Sequence, residues 1–183
     1  QWKTYYQNKQ EQAKVFLTIC DDGDGNIWLG TYSSGIYIID PVTGNLLKHY
    51  SGEKKETSVP SKFIFDLFKD SEEDIWIGGV DNVMCYLSKE KQFKSYPIKP
   101  VNSFYELFPG QILGTYSHGL ALIHKYSGDI EILIDSCLAH DVIVIDNDIW
   151  IATSGNGLIQ YKHVNKSKKW FTTDSGLPSN SLN

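Results

Sequence analysis

Long apolar runs are missing from this chain: none approaches the ~20 residues that a membrane-spanning helix needs. Cysteine is scarce as well, with Cys20, Cys85 and Cys137 widely spaced and no CxxC among them. An odd, scattered set of this kind encodes neither a disulfide framework nor a zinc site, and buried apolar thiols are expected. No excess of positive charge exists, since the formal net charge is −5 and the lysines are dispersed, so the electrostatic footprint of nucleic-acid binding is absent. Catalytic signatures are equally thin. There is no GxSxG, and His49, His118, His124, His140 and His163 fall in separate segments. The chain opens on Gln rather than Met and shows no signal peptide, and it reads as a piece excised from a larger protein.

What the chain does have is ordinary globular composition enriched in strand-forming side chains. Its 183 residues are 41% hydrophobic, 21% charged and 13% aromatic, which suits one domain built from packed strands. An internal repeat organises them. DGDGNIWLGTYSSGIYIID from Asp22 returns as SEEDIWIGGVDNVMCYL from Ser71, PGQILGTYSHGLALI from Pro109 and DNDIWIATSGNGLIQY from Asp146. Each copy reads as a polar turn, a strand, a second turn and another strand, preceded by an apolar strand and followed by a fourth.

Four short antiparallel strands recurring at roughly 40-residue spacing predict β-propeller blades, because each small sheet has two apolar faces that only neighbouring blades can cover. The expected fold is therefore all-β, an incomplete propeller sector of about four blades. The boundaries read as 1–14 for the end of a preceding blade and a link, blades at 15–50, 63–96, 103–134 and 141–173, and the start of a further blade at 174–183. VPSKFIF (59–65) aligns with LPSNSLN (177–183), which places the final residues at the entry to another inner strand. Trp28, Trp76, Ile112 and Trp150 occupy the index position, where a Trp would bury ~150 to 250 Å² between blades. At Ile112 the neighbouring Phe104, Tyr105 and Phe108 are expected to fill the missing volume. VFLTIC, residues 15–20, suits an innermost strand buried on both faces.

With the repeats aligned, WLGTYSSGI, WIGGVDNVM, LGTYSHGL and WIATSGNGL, together with GLPSN at Gly176, resemble the two-component regulator propeller repeat. The likeness covers essentially the whole chain. Ile112, Gly79 in place of Thr, and Val83-Met84 in place of Gly-Leu depart from the pattern. The resemblance implies a periplasmic sensor region of a hybrid two-component histidine kinase, anchored in the inner membrane and homodimeric in the parent protein, with oligosaccharides from polysaccharide breakdown as ligands.

Candidate sites were weighed against plainer roles. Asp22, Asp24 and Asn26 alternate like a calcium loop, but that loop needs Gly at its sixth position and an acid at its twelfth, where Ile27 and Ser33 stand. A solvated turn is expected, with no metal and no cofactor. Asp66 and Glu106 occupy related points of inner strands and are expected to line a solvated channel. The turns between second and third strands are the better lead, since they offer aromatic faces, hydroxyls, amides and a carboxylate on a rigid scaffold. Tyr32, Ser33, Asp81, Asn82, Tyr116, His118 and Asn156 are the candidate ligand-binding residues. Tyr32, Tyr116 and His118 stand out, because a turn does not require an aromatic.

The resulting expectation is a sensing segment without catalysis of its own, probing an oligosaccharide and controlling polysaccharide-utilisation genes. Its partners are the remaining blades of the parent chain, with neither nucleic acid nor membrane insertion. Two rivals are a protein-docking scaffold, which would show an apolar patch on the turns, and a propeller lyase or hydrolase using His118 and Glu106.

Overall fold

The computed structural model of the chain describes residues 15–51 and 61–182. The outer strand expected at 2–6, the link through residue 14, most of the loop after the first blade, and Asn183 lie outside them. Four four-stranded sheets account for the described chain, each with its strands in sequence order. Blade 1 is β1 (Phe16–Asp21), β2 (Ile27–Thr31), β3 (Ile36–Ile39) and β4 (Leu46–Tyr50); blade 2 is β5 (Ile64–Lys69), β6 (Ile75–Gly79), β7 (Val83–Leu87) and β8 (Gln92–Tyr96). Blade 3 is β9 (Val101–Phe108), β10 (Gln111–Tyr116), β11 (Gly119–His124) and β12 (Ile130–Asp135); blade 4 is β13 (Leu138–Ile145), β14 (Asp148–Ser154), β15 (Leu158–Lys162) and β16 (Ser167–Phe171). These are the expected propeller blades. No helix of the described residues is long and apolar enough to cross a membrane.

The chain divides into two compact units, Gln1–Ser95 and Tyr96–Asn183. In the first, Trp28, Ile36, Ile38 and Tyr50 on one face of blade 1 are buried together with Ile64, Leu67, Ile75 and Ile77 of blade 2. In the second, Leu113, Leu120 and Leu122 of blade 3 are buried with Val142, Ile149, Ile151, Ile159 and Tyr161 of blade 4. Apolar alternation along each strand puts one row on each face, so every blade has material for two such contacts.

Blade 3 corrects the index position. In blade 1 five residues separate the last pair, Gly30 and Ile36, and Trp28 lies opposite Ile38. In blade 3 Tyr116 pairs with Gly119 across a two-residue turn, and Leu113 lies opposite Leu122. The slip of one residue turns β10 over, because side chains alternate with period two. Leu113, not Ile112, therefore faces blade 4. Tyr105 and Leu107 pack on that same side, whereas buried Phe104 stands on the opposite face with Ile112 and Phe108 is exposed. No Trp-sized hole exists at Ile112 for these residues to fill.

Each inner strand carries a bulge, at Leu17, Phe65, Asn102 and His140, where pairing to the second strand skips a residue. The bulges carry β9 and β13 further back than expected, to Val101 and Leu138. The residues just after them are Thr18, Asp66, Ser103 and Asp141. Thr18 donates to Asp66 at 3.4 Å and Ser103 to Asp141 at 2.7 Å, tying neighbouring inner strands hydroxyl to carboxylate. The counterpart of Asp66 is thus Asp141; Glu106 lies opposite Ile112 instead. A further correction concerns β1, whose Phe16, Leu17 and Ile19 are exposed rather than buried on both faces.

Candidate functional site

The turn after β2 is closed by its own threonine. Thr31 Oγ1 donates to Gly35 O at 2.8 Å and accepts from Ser34 N at 2.8 Å. Gly35, at φ +75°, must be Gly, since a Cβ there would lie 2.0 Å from Tyr50 O. This tight fold pushes Tyr32 outward, 55% exposed, with Ser33 exposed beside it. His49 braces the turn, bonding Ser34 O through Nε2 at 2.7 Å while stacking on Tyr37 at 4.0 Å.

The link into blade 2 is laid along this turn. Gly35 N donates to Lys62 O at 2.9 Å, and Ser61 Oγ accepts from Phe63 N at 3.0 Å. Phe63 meets Tyr32 edge to face at 5.3 Å. Its carbonyl crowds Gly79, where a Cβ would lie at 2.1 Å, so blade 2 has Gly where other copies have Thr. Val80, Asp81 and Asn82 follow directly. Phe63 thus lies against Tyr32, next to Ser33 in sequence, through its ring, and against Gly79, which leads into half-buried Asp81 and Asn82, through its carbonyl. Sequence reasoning named Tyr32, Ser33, Asp81 and Asn82 but missed Phe63, which read only as the start of a strand.

In blade 3 the short turn leaves His118 exposed and Tyr116 half-buried, with rings 5.9 Å apart and Ser117 Oγ 2.9 Å from His118 Nδ1. Burial, then the charge of Asp135, pushes the Tyr116 phenol up. Glu106 is opposite Ile112, roughly 13 Å along the strand from this turn at 3.3 Å per residue. That spacing separates the two residues an acid-base reading would pair.

Blade 4 repeats the blade 1 arrangement with Ser179-Asn180-Ser181 in place of Ser61-Lys62-Phe63. Gly157 N donates to Asn180 O at 2.8 Å, as Gly35 does to Lys62, and Ser181 N donates to Ser179 Oγ at 3.0 Å, as Phe63 does to Ser61. Gly155 N also bonds Asn180 O, and Ser154 and Ser181 hydroxyls meet at 3.2 Å. This turn is tied down by the link, and Asn156 stays exposed above it.

The opposite end of the strands holds the acidic turns. The Asp22 carboxylate accepts from Asp24 N, Asn26 N, Asn26 Nδ2 and Trp28 Nε1, at 2.8 to 3.3 Å. Those donors use it as the spine of the turn. Between the acidic turns of blades 1 and 2 runs a polar cleft of about 700 Å³ lined by Asp21, Asp24, Lys69, Glu73 and Lys91. Ion pairs cross it, Lys69 bridging Asp21 and Glu73 and Lys91 pairing with Asp24, and its lining keeps an excess of acidic residues. Asp70, Asp74 and Cys85 form a buried group with donor atoms within 4.8 Å. Asp70 is engaged by Glu72 N, Asp74 N and Trp76 Nε1, and Asp74 by Ser88 N. The two carboxylates thus hold the turn's backbone and the Trp76 indole.

Comparison with known proteins bears on this arrangement. Residues 11–33, which hold the β1 strand, the acidic turn, Trp28 and the start of the turn at Tyr32, match the family model described as two component regulator propeller. No curated protein matches the chain. Among solved structures, the extracellular domain of B. thetaiotaomicron BT4673, designated a one component system, superposes with TM-score 0.80 at 17% identity, over 97% of this chain and 25% of that one. The extracellular domain of B. thetaiotaomicron BT3049, designated a hybrid two component system, does so with TM-score 0.78 at 23% identity, over 97% and 25%. The WD40 repeats of RRP9 follow at TM-score 0.69 and 12% identity, over 88% and 52%. The chain spans about a quarter of the length of the two bacterial domains. These likenesses establish the propeller fold.

Proposed function

We propose that this chain, which carries the two component regulator propeller repeat in residues 11–33, is a ligand-sensing segment of an extracytoplasmic signalling regulator. It reads an oligosaccharide at the turn edge of its blades and contributes to control of polysaccharide-utilisation genes. The parent is a periplasmic sensor anchored in the inner membrane, a homodimeric histidine kinase, and this segment has no chemistry of its own. The observation that carries the reading is Phe63, whose ring meets exposed Tyr32 and whose carbonyl lies against Gly79, the residue that leads into Asp81 and Asn82. The two turns that it meets supply a ring, hydroxyl, amide and carboxylate groups on a braced scaffold, which is what a sugar's apolar faces and hydroxyls require. Tyr116, His118 and Asn156 offer the same chemistry on the second unit. Signalling requires that the glycan bind one arrangement of the parent more tightly than another.

The test is calorimetric titration of the intact parent sensor with a panel of oligosaccharides. Binding heat is expected with at least one glycan. Tyr32→Ala should weaken it by about tenfold or more, equivalent to ~1.4 kcal/mol, without moving the unfolding midpoint. A folded sensor that gives no heat with any glycan overturns the sugar reading. Exposed apolar surface lies on the strands of blades 1 and 4 more than on their turns, which supports a small-molecule ligand over a docked protein at the turn edge.

A further inference from the structure

Blade 3 departs from the other blades at the edge where they carry acidic turns. The turn before the second strand is DDGDGN in blade 1 (21–26), DSEED in blade 2 (70–74) and Asp146-Asn147 in blade 4. In blade 3 it is Pro109-Gly110, entered from Phe108. The turn after the third strand departs at the same edge. One backbone bond closes it in blades 1, 2 and 3: Gly44 N to Asp40 O, Lys91 N to Leu87 O and Gly128 N to His124 O, at 2.7 to 2.8 Å. Two residues past each acceptor stand Val42, Lys89 and Tyr126, so of these blade 3 alone places an aromatic ring there. In a repeat architecture the binding function sits on the turns that differ between units.

The two departures meet. A Cβ on Gly110, whose φ is +75°, would lie 2.6 Å from Tyr126 Cε2 and 3.3 Å from Cζ, so the ring rests on the bare glycine. The turn that presents it is fixed on both sides. Lys125, 3% exposed, donates its N–H to Gly110 O at 2.9 Å, and its carbonyl accepts from Tyr96 Oη at 2.8 Å. His124 N donates to Asp129 O at 2.9 Å across the base of the turn. Tyr126 is nevertheless 68% exposed, with Phe108 51% exposed and Pro109 exposed. Blade 3 is flanked in sequence by a blade on each side, and hairpin tips project from a blade's edge, away from the faces on which neighbouring blades pack.

We propose that Tyr126 is the stacking platform of a second saccharide site, on the edge of blade 3 opposite the turn that carries Tyr116 and His118. A ring already seated on glycine offers its exposed area to the C–H face of a pyranose at little further cost in side-chain freedom. Ser127 and Asp129, exposed on the same turn, supply a hydroxyl and a carboxylate for the sugar's hydroxyls. Asp129 N donates to Ser127 Oγ at 3.2 Å, which holds that hydroxyl in place. A patch of Phe108, Pro109 and Tyr126 falls short of the roughly 800 Å² per partner that a stable protein contact needs, so a saccharide is the occupant that fits. The site stands on its own residues, whatever ligand the Tyr32 turn takes.

Saturation-transfer NMR of the intact parent sensor with maltotetraose, cellotetraose and xylotetraose tests it. At least one of these sugars is expected to bind in the millimolar range, with transfer to its ring C–H protons. Tyr126→Ala should weaken that binding by about tenfold or more, and Tyr126→Phe by less than about twofold, since the ring and not its hydroxyl makes the contact. Tyr32→Ala should leave it unchanged, which separates this site from the one at the turn edge. Binding lost in Tyr32→Ala alone overturns the Tyr126 site and leaves the other standing. No transfer with any of the sugars, equal binding by wild type and Tyr126→Ala, or a Phe variant as weak as the Ala variant would each overturn the proposal. So would a change in the parent's sedimentation on Tyr126→Ala with sugar binding intact, which assigns the patch to a protein contact.

Discussion

The indole Nε1 of Trp76 donates to the Asp70 carboxylate at 2.9 Å, six residues back along the chain, and Trp28 does the same to Asp22 at 3.3 Å. The acidic turn is thereby joined to the index residue. One carboxylate caps the turn's backbone N–H groups and fixes the indole that fills the blade face. Asp70 is 2% exposed, so Asp70→Ala strands several buried donors at once and should cost about 2 to 4 kcal/mol. Asp22 is half-buried, and Asp22→Ala should cost less, about 1 kcal/mol. Urea unfolding of the two variants checks the order; equal costs would refute it.

The same bond makes blade 1 sensitive to acid. Burial pushes the Asp22 carboxyl up, but donation from Asn26, Trp28 and Asp24 outweighs it and holds the group below the usual carboxylate range. The folded chain therefore binds this proton less tightly than the unfolded one. The stabilisation is complete above the unfolded value of about 3.9 and is lost as pH falls through the folded value. The urea midpoint of wild type is expected to fall below about pH 4 more steeply than that of Asp22→Asn, which keeps an acceptor that does not titrate there. Parallel curves would contradict this assignment.

The strand plan was legible in the sequence because alternation, Gly and Pro turns and repeat length all point one way. The role of the acidic turn as structure was legible too, from Ile27 and Ser33 standing where a calcium loop needs other residues. The turning over of β10 was not: LGTY in 113–116 aligns with LGTY in 29–32, and only the pairing of Tyr116 with Gly119 reveals the slip. Phe63 was hidden for a related reason. Its importance comes from where its ring and carbonyl fall between two turns, which composition does not encode. The exposure of β1 was also beyond an apolar run, which specifies a surface to bury without its cover.

The slip gives a prediction opposite to the one the repeat alignment suggests. Restoring the Trp of the other copies by Ile112→Trp would look stabilising, yet Ile112 is fully buried on the face away from blade 4, beside Phe104 and Ile123. Inserting an indole there overpacks the sheet and should cost about 1 to 3 kcal/mol. Leu113→Ala, on the face that does meet blade 4, should cost about 2 to 5 kcal/mol. A raised urea midpoint for Ile112→Trp would sink the corrected register.

Cys20 is the half-buried thiol on the inner strand of blade 1. Burial, then the neighbouring Asp21 carboxylate, pushes it up to about 11. At neutral pH the reactive thiolate is thus roughly a hundredfold rarer than for an ordinary cysteine. Alkylation of the native protein by iodoacetamide should be slow at all three cysteines, Cys85 and Cys137 being buried. Unfolding in urea should restore ordinary rates. Rapid labelling of native Cys20 would show that the strand lies in a different environment.

Two glycines in one turn separate conformational strain from steric clash. Gly155 and Gly157 have φ of +93° and +73°, where L side chains are strained. A Cβ on Gly155 would meet nothing within 4 Å, whereas one on Gly157 would lie 2.1 Å from the carbonyl oxygen of Phe171. That oxygen belongs to the outer strand, at the same place where Tyr50 O approaches Gly35 and Ile134 O approaches Gly119. Gly155→Ala should therefore cost only the backbone term, about 1 kcal/mol. Gly157→Ala must also push β16 off β15, and should cost about 3 kcal/mol or more. Urea midpoints of the two variants decide it. Near-equal losses would mean that the close approach of outer strand to turn is not what selects glycine at the start of the third strand.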